Sequence, residues 1–152
     1  PTPGHTPGHV AFFFREPQVV FMGDYDLTRF GPWYGDRDSD LDQLLTSVRR
    51  LRELDARVWL TSHGDGCFEE DCAALFDAYL AVIDERHGRL LDYLAVPRTM
   101  DEISQQYIVY RKRREPAAIF DWGERAILGK HLQRMLRHEE VATAEGRYWR
   151  IA

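Results

Sequence analysis

Two short apolar runs open the chain, Val10 to Phe14 and Val19 to Met22, separated by Arg15-Glu16-Pro17-Gln18. β-branched and aromatic runs bounded by a proline-containing polar break predict two strands joined by a hairpin turn. From about Asp40 to Leu54 the period changes. Leu41, Leu44, Leu45, Val48, Leu51 and Leu54 recur at three- and four-residue intervals, the signature of an amphipathic helix whose apolar stripe packs on a sheet. Ser39 and Asp42 predict a capping box at its start. Val58 to Leu60 then reads as a buried strand, and about Glu69 to Leu94 as a second long helix carrying Leu75, Tyr79, Val82, Ile83, Leu90 and Leu94. Gly88 inside it weakens the helix by roughly 1 kcal/mol relative to Ala and predicts a kink or a break.

After Val96-Pro97 the order becomes helix, helix, hairpin. Thr99 to Glu102 is a T-x-x-E capping box opening a short helix through Tyr107, and Gly123 to His138 repeats apolar residues at helical spacing. Val141 to Ala144 and Arg147 to Ile151 flank Glu145-Gly146, a turn signal, and predict a closing hairpin. Charge breaks at the same place. Residues 1–96 carry a net charge of −8 and residues 97–152 a net charge of +3, which predicts a second module.

A chain of 152 residues that is 44% hydrophobic and 12% aromatic can bury a core, which excludes the disordered classes. It contains no apolar run near the roughly 20 residues needed to span a bilayer, so no membrane partner is expected. Cys67 and Cys72, five apart beside or within a predicted helix, are poorly placed to pair and read as two reduced thiols of a cytoplasmic protein.

The candidate chemistry lies at strand ends. Thr2-Pro3-Gly4-His5-Thr6-Pro7-Gly8-His9 places a histidine between two Pro-Gly turns ahead of a strand, a rigid way to present an imidazole to a cation. Asp24 follows Val19 to Gly23, and His63 follows Val58 to Ser62. A carboxylate suits a position shared between two cations, and imidazoles suit zinc. His9, Asp26 and Asp65 lie near these motifs but read as turn-forming or supporting residues rather than ligands.

Taken together, TPGHTPGH, FMGD and TSHG resemble, in order and rough spacing, the later metal-binding motifs of the metallo-β-lactamase superfamily. The resemblance covers roughly residues 1 to 95. It implies that His5 serves one metal, His63 the other, and Asp24 bridges both, in a dinuclear site, most often zinc, that activates water for attack on a carbonyl carbon or a phosphorus. The superfamily's HxHxDH signature is absent from these residues, and the chain opens at Pro1 inside a motif. The expectation is a C-terminal part of a longer hydrolase that is inactive and binds metal weakly or not at all by itself. The implied fold is α/β: residues 1–96 form the C-terminal αβ half of an αββα metallo-β-lactamase fold. Residues 97–152 resemble the winged-helix domain that follows this fold in one branch of the superfamily.

An Asp rather than a Cys at position 24 turns the analogy away from β-lactams and toward ester, thioester, phosphodiester or RNA substrates. The aromatic stretch from Tyr25 to Asp36 reads either as a pocket wall or as a loop packed on the core. The rival reading is a nucleic-acid-binding winged helix, from Arg111-Lys112-Arg113-Arg114 together with Arg125, Lys130, Arg134 and Arg137. Interrupting acids make that signal weak for phosphate-dominated binding. Expected partners are therefore a small-molecule ester or thioester, RNA, and a second copy of the chain associating through unpaired sheet edges.

Overall fold

The computed structural model describes residues 1–69 and 72–151. Residue contacts divide the chain into two compact units, Pro1–Ile83 and Asp84–Ala152.

In the first unit, β1 (Phe12–Phe14) and β2 (Val19–Phe21) pair antiparallel through the expected turn, in which the Gln18 N–H donates to the Arg15 carbonyl at 3.1 Å. Helix α1 (Leu41–Arg52) connects β2 to β3 (Val58–Leu60), and these two strands run parallel with Val20 opposite Trp59 and Phe21 opposite Leu60. Parallel neighbours need such a crossover, and the leucine stripe of α1 supplies it with a buried face made by Leu41, Leu44, Leu45, Val48 and Leu51. The sheet order is β1-β2-β3-β4, where β4 is Cys67–Glu69. One face is buried through Val20 and Trp59, the latter meeting Phe76 edge-on at 5.1 Å between ring centres. Phe12 and Phe14, on the opposite face, remain more than half exposed.

Three local expectations change. The α1 cap is Asp40, whose side chain accepts from the Gln43 N–H at 2.9 Å, and not Ser39, whose hydroxyl is used elsewhere. Glu69, the start of the expected long helix, is instead the last residue of strand β4, because β3 takes it as an antiparallel partner with Val58 opposite Glu69, and residues 70 and 71 of that expected helix lie outside the described residues. The helix itself, α2, spans Ala73–Tyr93 without a break at Gly88, where a side chain would meet nothing within 4 Å. The division between the compact units falls within it, after Ile83. Both cysteines are free, Cys67 exposed and Cys72 buried.

In the second unit, a two-residue strand β5 (Arg98–Thr99) leads into α3 (Met100–Ser104), which carries the full Thr99/Glu102 capping box. The next helix, α4 (Ala117–Arg137), begins six residues before the expected Gly123, behind Pro116, with the Glu115 carboxylate accepting the Ala117 N–H at 2.8 Å. The hairpin β6 (Val141–Ala144) and β7 (Arg147–Arg150) forms as the alternation predicts. It gains β5 as a third strand, order β5-β7-β6, which two residues of sequence give no periodicity to announce. Burial drives the His131 imidazole on α4 down to a pKa of about 3, with His87, Arg86 and Arg134 adding to the shift. Burial also raises the carboxyl of Glu124, against the pull of the Val109 and Tyr110 N–H groups it accepts. No helix among the described residues is long and apolar enough to cross a membrane.

Candidate metal centre

Parallel pairing of β2 with β3 brings Asp24 and His63 together. The ladder runs past the strands: the Met22 N–H donates to the Leu60 carbonyl at 2.7 Å and the Ser62 N–H to the Gly23 carbonyl at 2.9 Å. Continuing that register by one residue sets the two side chains side by side at the carboxyl ends of the strands, the usual place for ligands in open α/β sheets. His63 Nε2 lies 3.0 Å from Asp24 Oδ1. Thr61 steadies this turn by donating its hydroxyl to the His63 carbonyl at 2.6 Å.

His5 arrives from the other side on a loop tied down by its backbone. Ser39 donates its hydroxyl to the His5 carbonyl at 2.6 Å, the Asp40 N–H donates to the Gly4 carbonyl at 2.9 Å, and Ser47 donates to the Pro3 carbonyl at 2.7 Å. The Tyr25 hydroxyl is shared between the Thr2 and Pro3 carbonyls at 3.0 and 3.2 Å, and burial pushes its pKa up to about 12. The same residues that start α1 therefore also fix the His5 loop.

His5 Nδ1 lies 2.9 Å from the Trp33 carbonyl. A carbonyl can only accept, so Nδ1 carries a proton, and Nε2 is the nitrogen left facing Asp24 Oδ2, 3.3 Å away. Nε2 is thereby the ring atom placed to meet a cation or a second proton shared with Asp24. Asp24 thus turns one oxygen toward each of two imidazoles, an arrangement open to a bridging carboxylate.

Imidazole nitrogen and carboxylate oxygen are ligands zinc accepts, so the residue types fit a metal. The donor count is short. Each side of Asp24 has one histidine and one oxygen, whereas a stable zinc site uses three or four protein donors. No group of three or more His, Cys, Asp or Glu among the described residues is arranged to hold a metal ion. The site is graded in exposure, with side-chain values of 14% for His5, 38% for Asp24 and 65% for His63, so solvent reaches it from the His63 side.

The neighbouring residues divide. Asp26 closes a local turn by accepting the Thr28 N–H and hydroxyl, both at 3.1 Å, and Asp65 lies in the exposed turn after His63. In the aromatic stretch, Tyr25 and Tyr34 are buried in the core, while Phe30 is exposed. The residue missed from sequence is Trp33, which acts through its carbonyl rather than its ring, and a backbone atom leaves no signal in residue type. A cavity of about 730 Å³ is lined by Val19, Val58, Trp59 and Phe76, at the amino ends of the same parallel strands and away from His5, Asp24 and His63.

Residues 1–63 match the Metallo-beta-lactamase superfamily. Two solved structures resemble this one over nearly its whole length. A metallo-beta-lactamase family protein from Thermus thermophilus is 29% identical, with a TM-score of 0.77, over 99% of this chain and 48% of that one. A beta-lactamase domain protein from Burkholderia ambifaria is 22% identical, with a TM-score of 0.78, over 98% of this chain and 45% of that one, and shows likeness of fold alone. The chain spans about half the length of these structures. Its mixed α/β fold is that of the metallo-beta-lactamase family proteins it resembles, and the match to the superfamily lies in residues 1–63, the part that carries His5, Asp24 and His63.

Proposed function

We propose that this chain carries the later ligands of a dinuclear metal centre, zinc by preference, in a hydrolase acting on an ester, thioester or phosphodiester bond. The observation that supports it best is the Asp24 carboxylate, with one oxygen toward Nε2 of His5 and the other toward Nε2 of His63. His5 and Asp24 would hold one metal, and His63 and Asp24 the other. When bound, the pair supplies an activated water and a cation to stabilise the developing oxyanion. This chain's own residues hold the imidazole of His5 in one tautomer, hold the carboxylate at the strand ends, and leave the His63 side open to substrate.

The remaining ligands would come from residues outside this sequence, so residues 1–152 alone would be inactive and bind metal weakly. Metal analysis after zinc loading tests this, on this chain and on a longer protein with upstream residues, each beside its Asp24→Asn variant. Two metals in the longer protein, lost on substitution, and little in this chain are expected. No metal in either overturns the proposal.

Residues 97–152 read as a winged-helix module, supported by the order α3, α4, β6, β7 with β5 beside β7. RNA contact through it is the second reading, supported by the exposed Lys112 and Arg113 ahead of α4. Against a groove-reading role for α4, Arg125 is paired with Asp101 and Lys130 is buried. An unchanged RNA affinity and salt slope in Lys112→Glu with Arg113→Glu removes this reading. Cytoplasmic placement is part of the proposal and rests on the two free thiols.

A further inference from the structure

His9, four residues after His5, is buried, and both of its ring nitrogens are engaged. Nδ1 lies 3.0 Å from the Thr2 carbonyl and 2.9 Å from the Thr2 hydroxyl, and Nε2 lies 3.1 Å from the backbone nitrogen of Asp24. The Thr2 carbonyl can only accept and the Asp24 N–H can only donate. The ring is therefore the neutral Nδ1–H tautomer with a bare Nε2. Burial favours that neutral form, lowering the pKa of the ring below its ordinary value. The ring also lies 4.5 Å from that of Tyr25, whose hydroxyl reaches the same Thr2 carbonyl at 3.0 Å.

The Asp24 N–H belongs to the same peptide unit as the Gly23 carbonyl, which accepts the Ser62 N–H at 2.9 Å. That one peptide plane is thus held on one side by the loop leading to His63 and on the other by the loop that carries His5. From this we infer that His9 is a positioning residue: through its ring it locks the Gly23–Asp24 peptide plane to the His5 loop, so that the three ligand-bearing segments are set relative to one another before any metal binds. The inference rests on the metal-centre reading for its purpose, but its geometry is independent of metal. A positioning role of this kind lowers the reorganisation needed on binding.

Isosteres separate the two ends of the ring. In His9→Gln the amide oxygen can reach where Nε2 sits and accept the Asp24 N–H. In His9→Asn the amide nitrogen replaces Nδ1 toward Thr2, and nothing reaches Asp24. Hydrogen exchange of the Asp24 amide, read by NMR on the metal-free chain, should stay near wild type in His9→Gln and accelerate by about five- to tenfold in His9→Asn, the order expected for one lost hydrogen bond. A general loss of stability would move both variants together. Equal exchange in the two overturns the inference.

The wild-type protein gives a test that needs no variant to fold: ring 15N–1H correlations of His9 should show protonated Nδ1 and bare Nε2, and an Nε2–H tautomer overturns the inference directly. Zinc affinity of the longer protein should fall further in His9→Asn than in His9→Gln. If that protein binds no metal while the amide pattern still splits, the metal-centre reading fails and the positioning role stands.

Discussion

Gly23 and Gly66 make a matched pair for measuring how tightly the site is packed. Both have left-handed backbones, with φ of +62° and +76°. A Cβ added at Gly23 would lie 2.8 Å from His9 Nε2 and 3.3 Å from His9 Cε1, whereas at Gly66 it would meet nothing within 4 Å. An alanine at either position carries the left-handed penalty of about 1 kcal/mol. At Gly23 it must also displace the imidazole, and the Asp24 N–H then loses its acceptor, a further loss of about 1–3 kcal/mol. Gly23→Ala should therefore destabilise by about 2–4 kcal/mol and Gly66→Ala by about 1 kcal/mol. Urea unfolding of the two variants measures the difference, with both compared at an unchanged slope. Equal losses would refute the claim that the His9 ring is held against this peptide, since backbone strain alone would then account for both.

Acid should destabilise the second unit through His131. Its folded pKa is depressed to about 3, so the unfolded chain binds the extra proton first, and stability present above about pH 6.5 is lost progressively toward pH 3. The loss between pH 6.5 and 5 should be about 2 kcal/mol by urea unfolding and should vanish in His131→Gln. Glu124, whose folded pKa is raised, works in the opposite direction as pH falls through the carboxylate range, so the acid slope should flatten there. Asp40→Ala should lower stability by about 1 kcal/mol through loss of the α1 cap, while Ser39→Ala, having no cap to lose, should loosen His5 instead, as read by exchange of the His5 loop amides. The exposed Phe12 and Phe14 on edge strand β1 should drive self-association; light scattering should show oligomers that Phe14→Lys reduces, and a monodisperse monomer at high concentration removes the expectation.

How much of this was written in the chain differs from element to element. The α1 stripe, the first hairpin, the Thr99/Glu102 capping box and the closing hairpin follow from local periodicity and turn chemistry, because each is specified by residues a few positions apart. The three candidate ligands were legible as residue types at strand ends. Strand β4 was not, since Cys67–Glu69 is a strand only because β3 offers it an edge, and β5 likewise exists only against β7. Local sequence also could not separate Ser39 from Asp40 as the helix cap; what decides it is that the His5 carbonyl claims the Ser39 hydroxyl.

Sequence by itself picked out the candidate donors, His5, Asp24 and His63, each delivered from a turn that can present it. Only tertiary structure decided what they face. Parallel register between β2 and β3 sets Asp24 beside His63, the Trp33 carbonyl takes Nδ1 of His5 and leaves Nε2 toward Asp24, and His9 turns inward to hold the Asp24 backbone although it sits in the same Pro-Gly-His repeat as His5. Two histidines with the same local sequence make different contacts because hydrogen-bond direction and burial are set by residues distant in the chain.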